Sequence, residues 1–351
     1  MNITKKPYGV DSHGNPVTEY SLVNDGGAYV SVIDFGGTLT RVVVPDRDGK
    51  LDDVILGYDD VTSYNHDSGS MGALIGRFGN RIGGAAFDLE GIHYELGKND
   101  GANNLHGGPD GFDQRMWKAV PAVADGKCTL TLTLTSPDGD QCFPGKLDVE
   151  VVYSFDNANA LTIAYRAVTD KPTLVNLTNH AYFNLEGCHG GTVHEHVLQV
   201  FADSCTEVGA GLIPTGKLIP SSELAYGFAK ATRIGDVLAH TATDKDMRPA
   251  GGVDFNYCAG HDRETKHIAT LSAPKTGSVM KTITDLPGVQ VYTGQGVHQV
   301  GKNGVQYQAY SGVCLETQRY PDGIHHAHFP SQVLRPGETY LTTTQYIFSV
   351  E

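Results

Sequence analysis

Thr129-Leu-Thr-Leu-Thr-Leu-Thr135 alternates an apolar and a hydroxyl-bearing side chain at every step. Successive side chains of an extended chain point to opposite faces, so the leucines share one side and the threonines the other. The β-branched threonines also favour the pleated conformation. The stretch reads as a strand half buried against a core. The same period of two recurs from Tyr29 to Ile33, at Leu147, Val149 and Val151, from Leu161 to Val168 and from Tyr340 to Val350. Turn punctuation such as Asn24-Asp-Gly-Gly27 and Pro137-Asp-Gly139 separates these runs. Residues 87–96 predict a hairpin closed at Glu90-Gly91. Helical periodicity is short and confined to about residues 231–240. The rhythm continues from end to end without linker or repeat. It predicts an all-β protein, a single large antiparallel β-sandwich with one domain spanning 1–351. Long helices do not alternate with the strands, which excludes a doubly wound fold.

Composition narrows the function classes. The 351 residues suffice for a large core. A formal net charge of −14 leaves no basic stripe for nucleic acid or an anionic membrane surface. The start, Met1-Asn-Ile-Thr-Lys-Lys-Pro7, lacks the apolar stretch of a secretion signal. No apolar run approaches the ~18 residues that cross a bilayer. Cys128, Cys142, Cys188, Cys205, Cys258 and Cys314 are widely spread and form no CxxC pair. Free thiols, a cytoplasmic setting, and a neutral small-molecule substrate are the expectation, with no nucleic-acid or membrane partner.

Residues 173–185, Thr-Leu-Val-Asn-Leu-Thr-Asn-His-Ala-Tyr-Phe-Asn-Leu, carry the first chemical signal. As a strand they would set Val175, Leu177, Ala181, Phe183 and Leu185 on one face. Asn176, Thr178, His180, Tyr182 and Asn184 would share the other. A solvent face usually carries charge; this one is polar and uncharged. It suits either the wall of a cleft for a polyhydroxy ligand or a plain exposed strand. Glu316 follows three apolar residues in Val313-Cys-Leu-Glu-Thr-Gln318. Burial there would raise its pKa and make it a general base near neutral pH, whereas an outward or ion-paired Glu would be inert. Gly76-Arg-Phe-Gly-Asn-Arg-Ile-Gly-Gly84 lacks the Gly-Lys-Ser/Thr ending of a phosphate loop and reads as turns presenting Arg81. His106, between Leu105 and two glycines, is either a turn residue or a site residue. The pairs in His194-Glu-His196 and His325-His-Ala-His328 have ligand-like spacing but no matching acidic or Cys cluster, so they read as exposed loop histidines, not as a metal site.

Taken in order along the chain, several segments resemble the aldose 1-epimerase (galactose mutarotase) family. They are Gly76 to Ile82, Asn103-Asn-Leu-His-Gly-Gly108, Asn179-His-Ala-Tyr-Phe-Asn-Leu185, Gly251-Gly-Val-Asp-Phe-Asn-Tyr257, Pro287-Gly-Val-Gln-Val-Tyr-Thr-Gly294, Leu315-Glu-Thr-Gln318 and Phe329 through Tyr340. The resemblance implies a galactose mutarotase-like β-sandwich with an open sugar cleft. It implies interconversion of the α and β anomers of free hexoses such as galactose and glucose by acid/base ring opening. It makes Glu316 the base and His180 the acid, with Asn80, Arg81, His106, Asp254 and Gln290 binding the sugar. No cofactor or metal is expected, and the protein would be a monomer or homodimer. Phe255 and Gln295 depart from the residues usual in the family, which bears on sugar preference. Two other readings stay open. One is an epimerase of hexose 6-phosphate, against which stands the scarcity of basic residues beyond Arg81 and Lys98. The other is a non-catalytic sugar-binding module on the same fold.

Overall fold

The computed structural model describes residues 1–351 except His66, Ser68, Gly190 and His261. Strands dominate, and three sheets carry the architecture. The largest has nine strands, in the spatial order Lys118–Ala124, Lys127–Ser136, Leu147–Asp156, Ala160–Thr169, Tyr340–Val350, Ser278–Thr284, Lys266–Ala273, Val197–Val200 and Thr232–Arg233. A five-stranded meander is built in chain order from Asn2–Val10 to Leu51–Asp53. A six-stranded sheet runs Tyr182–Phe183, Val313–Gln318, Gly288–Tyr292, Asp254–Cys258, Ser204–Val208 and Pro214–Pro220. All the pairings within these sheets are antiparallel.

The alternation in the sequence appears as alternation in burial. Cys128, Leu130 and Leu132 are fully buried, while Leu134, nearer the strand end, is only half-buried. Tyr340, Thr342, Thr344, Tyr346 and Phe348 turn inward, and Leu341 and Thr343 turn out. One apolar core joins the layers, with Leu22 and Val30 from the five-stranded sheet, Leu132, Tyr153 and Ile163 from the nine-stranded sheet, and Val289 and Leu315 from the six-stranded sheet. At ~25 cal/mol per Å² of apolar surface, such burial is the main favourable term in folding. The Tyr346 hydroxyl donates to the Leu315 carbonyl at 2.9 Å, and the Tyr346 ring packs against Phe183 at 5.0 Å, so the strand bearing Glu316 is pinned to the large sheet.

The hairpin forms as read, Ala86–Leu89 with Ile92–Glu95, and Glu90 and Gly91 both adopt positive φ at its two-residue turn. The helical stretch condenses to one short helix, Ile234–Leu238. No described helix is long and apolar enough to cross a membrane.

The 173–185 stretch departs from the expected strand. It breaks into Thr173–Leu174, Thr178–Asn179 and Tyr182–Phe183, and every residue from 173 to 185 is buried. The asparagines explain the break, because their side chains serve the backbone of neighbouring loops. Asn176 Nδ2 donates to the carbonyls of Gly79 and Arg319, both at 3.2 Å. Asn179 Nδ2 donates to Gly72 O at 2.8 Å, and Asn184 Nδ2 to Ser311 O at 2.9 Å. Buried carbonyls must be paired, and these amides pair them where no ladder does.

Candidate active site

Two glycine-rich motifs assemble one wall. Arg81–Ile82 pairs antiparallel with Asn104–Leu105. That short ribbon brings His106 against Asn80, whose backbone N–H donates to His106 Nδ1 at 3.1 Å. Asn80 and His106 both sit at positive φ, which turns the chain sharply at the rim. A backbone N–H only donates, so Nδ1 of His106 is the acceptor and its proton sits on Nε2. Burial, the neighbouring His180 and Arg81 all hold His106 well below the ordinary imidazole pKa. It is therefore a neutral ring presenting one fixed donor.

The six-stranded sheet forms the floor. Its register sets Gln290 opposite Glu316 and Asp254 opposite Tyr292. The broken 173–185 segment supplies His180 and Tyr182, whose rings stack at 5.0 Å. His180 Nε2 lies 3.6 Å from Glu316 Oε1. Glu316 is 2% exposed, and its second oxygen, Oε2, has no hydrogen-bond partner among the described residues. A buried carboxylate oxygen without a partner is costly, and such groups concentrate where a ligand supplies the missing donor. Arg81 crosses from the first wall, bonding Asp100 at 2.8 Å and reaching to 3.7 Å from Asp254.

The hollow these side chains enclose is about 160 Å³, lined by Gly69, Asn80, Arg81, Leu105, His106, His180, Tyr182, Asp254, Tyr292 and Glu316. Arg81 is also a wall of a neighbouring hollow of about 420 Å³ that includes Asp100, Lys245 and Asp246. Burial, followed by the charge of Asp254, drives the Glu316 carboxyl well above its ordinary pKa, and Arg81 opposes the rise. Burial pushes His180 down to about 4. Asp254 is raised by burial and held down by Arg81 and Gln290.

The pocket thus brings together Glu316, His180, Asn80, Arg81, His106 and Asp254. Gln290 is different: it is buried behind the wall, its Nε2 donating to Asp254 Oδ1 at 2.6 Å and its Oε1 accepting from Gln318 at 3.2 Å. The two departures from the family pattern also lie away from the hollow. Phe255 alternates to the core side of its strand and stacks on Tyr226 at 4.0 Å. Gln295 Nε2 donates to the Ala250 carbonyl at 3.0 Å and ties down a loop. Their expected bearing on sugar preference has no contact to act through. The sequence pattern puts Tyr182 on a polar face and carries no signal for Tyr292; the register opposite Asp254 is what brings Tyr292 in.

His106, His180 and Glu316 have ligand-type atoms within 4.8 Å of one another, a spacing open to a metal ion. The tautomer of His106 fits poorly, because the nitrogen left free by Asn80 carries the proton. The other histidines are not uniformly exposed, contrary to expectation. His196 is fully buried, with Nε2 accepting from Leu185 N–H at 2.9 Å. His325 Nδ1 meets Asp322 at 2.7 Å, while His326 and His328 lie 3.0 and 2.7 Å from the carbonyls of Pro214 and Gly216.

The sequence and the fold as a whole also match known proteins. The family described as Aldose 1-epimerase matches residues 18–347. Galactose mutarotase of Sus scrofa is 36% identical over 353 residues, covering 100% of this chain and 99% of that protein. Aldose 1-epimerase of Escherichia coli K12 is 34% identical, covering 96% of this chain and 97% of that protein. Among solved structures, galactose 1-epimerase of Lactobacillus acidophilus superposes with a TM-score of 0.86 at 27% identity, covering 100% of this chain and 99% of that one. An aldose epimerase homologue from C. elegans gives 0.86 at 28% identity, covering 94% and 98%.

Proposed function

Because the chain belongs to the aldose 1-epimerase family, we propose that this pocket opens and recloses the hemiacetal ring of a free hexose such as galactose or glucose. The chain is then a carbohydrate isomerase. The observation that carries the reading is the Glu316–His180 pair, 3.6 Å apart in a hollow otherwise lined by neutral or mutually compensated polar groups.

Ring opening needs one group to take the proton of the C1 hydroxyl and another to give a proton to the ring oxygen. In this assignment Glu316 takes and His180 gives, each through an atom facing the hollow. As the C1–O5 bond breaks, the proton leaves Nε2 for O5, and the hydroxyl proton passes to the carboxylate. The aldehyde turns about C1–C2. Closure on the other face returns both protons. Each positioned transfer contributes about 10²–10⁴-fold.

The directions of the two pKa shifts suit the cycle. Burial favours a protonated Glu316 and a neutral His180, which is the state ring opening leaves behind. Shifting that one proton from Oε1 to Nε2 regenerates the carboxylate and imidazolium that opening requires. Two titrating groups this close share their proton as a unit. Arg81 favours the ionised carboxylate.

His106 offers its fixed Nε2–H to a sugar oxygen on which charge develops. Asp254 accepts from sugar hydroxyls, and Gln290 keeps its carboxylate aimed. Asn80 and Arg81 complete the polar wall. Arg81 is already shared between Asp100 and Asp254, which leaves little positive field for a phosphate and favours an uncharged sugar. We take residues 1–351 as one domain, on the strength of the continuous core from Leu22 to Phe348.

Polarimetry of freshly dissolved α-galactose tests the reading. His180→Asn should slow the catalysed approach to equilibrium by at least about a hundredfold. A near-normal rate would remove His180 from the role of acid.

A further inference from the structure

The strand Val313–Gln318 meets His180 twice. Cys314 and Glu316 are two residues apart, so they share a face of that strand. Glu316 Oε1 stands 3.6 Å from Nε2 of the imidazole, and Cys314 Sγ stands 3.5 Å from Nδ1. Cys314 is fully buried and His180 is 6% exposed, so the pair is shielded from exchange with solvent. Cross-strand pairing seats Cys314 between Tyr182 and Tyr292, both of which pack on the imidazole. The same strand face presents the unpartnered Oε2 of Glu316.

The chemistry of a thiol differs from that of the partners that usually orient a histidine. A carboxylate or carbonyl oxygen only accepts, which fixes the proton on the nitrogen it faces and favours the charged ring. The carbonyl of His180 itself acts in that sense. A protonated thiol accepts weakly and carries no charge, so it can hold the proton on Nδ1 without fixing the ring in its charged form. Burial, and then the negative neighbours Glu316 and Asp254, keep the Cys314 thiol protonated.

We infer that Cys314 is a positioning residue for His180, its sulfur accepting from Nδ1–H in both the neutral and the protonated ring. Nε2 then holds its proton before ring opening and stands ready to receive it in closure, with no rearrangement of the ring. The inference rests on His180 being the acid of the proposed reaction.

The test compares Cys314→Val, which fills the site without a hydrogen bond, with Cys314→Ser, which keeps a group that accepts. The readouts are polarimetric kcat and KM for galactose across pH, and the ¹⁵N shifts of the His180 ring in labelled protein. The valine variant should lose about tenfold in kcat, the scale of one hydrogen bond, with KM little changed. Its neutral ring should move toward the Nε2–H tautomer, and the acidic limb of its pH profile should shift. Serine should restore most of the rate and the wild-type tautomer. If valine does not fold, Cys314→Ala is read in the same way. Wild-type kcat, pH profile and ¹⁵N shifts in the apolar variant overturn the inference. If those are unchanged while His180→Asn is inactive, only the part played by Cys314 fails; an active His180→Asn sinks the acid assignment itself.

Discussion

Replacing Glu316 by Gln separates catalysis from stability. The amide keeps the size of the carboxyl group, which is 2% exposed and 3.6 Å from His180 Nε2, but it cannot take a proton. Loss of a positioned base costs about 10²–10⁴ in rate, or about 2.7–5.4 kcal/mol of transition-state stabilisation. Polarimetry with fresh α-galactose, corrected for spontaneous mutarotation, should show that fall in kcat with KM changed far less. Stability should move the other way. The folded carboxyl has a raised pKa, so its contribution is fully present below the unfolded pKa and is lost as pH rises through the folded one. Glutamine carries no such penalty. Glu316→Gln should therefore unfold at a temperature equal to or above that of the parent, with the gap widening as pH rises. A variant that keeps more than about a tenth of kcat, or that melts below the parent at pH 8, refutes the argument: the first removes the base, the second the buried charge.

The pH dependence of kcat/KM should be bell-shaped. Below about pH 4, where His180 also binds a proton, the base is lost, and above the raised value of Glu316 the acid is lost; activity that persists undiminished well below pH 4 would contradict the shared proton. Gln290→Ala removes the 2.6 Å bond to Asp254 and should raise KM about five- to tenfold with a smaller change in kcat. An unchanged KM would show that Asp254 needs no support. Phe255→His breaks a buried stack against Tyr226 and should cost about 1–3 kcal/mol in urea unfolding, leaving the galactose-to-glucose ratio of kcat/KM as it was. A changed ratio would return Phe255 to the sugar site.

The local alphabet of this fold stands in the amino-acid order. Thr129 to Thr135, 147–151 and 340–350 alternate because a strand between core and solvent has two unlike faces, a property carried by neighbours in the chain. The Glu90-Gly91 turn is legible for the same reason. The polar, uncharged run around His180 and the apolar approach to Glu316 mark both groups as candidates, and the ordered motifs tie them to one family. Local order does not hold what depends on register between distant strands. Pairing of Gly288–Tyr292 with Val313–Gln318 and with Asp254–Cys258 decides that Gln290 stands behind Asp254, that Tyr292 joins the pocket and that Phe255 turns into the core. Asn176 and Asn184 read as one face of a strand, yet together with Asn179 they break it, because the carbonyls they satisfy belong to loops far along the chain. His196 and the histidines near Asp322 look alike in sequence and differ only in what folds over them. Burial and the protonation it imposes on Glu316 and His180 arise only when remote segments exclude water together; no single segment contains that information.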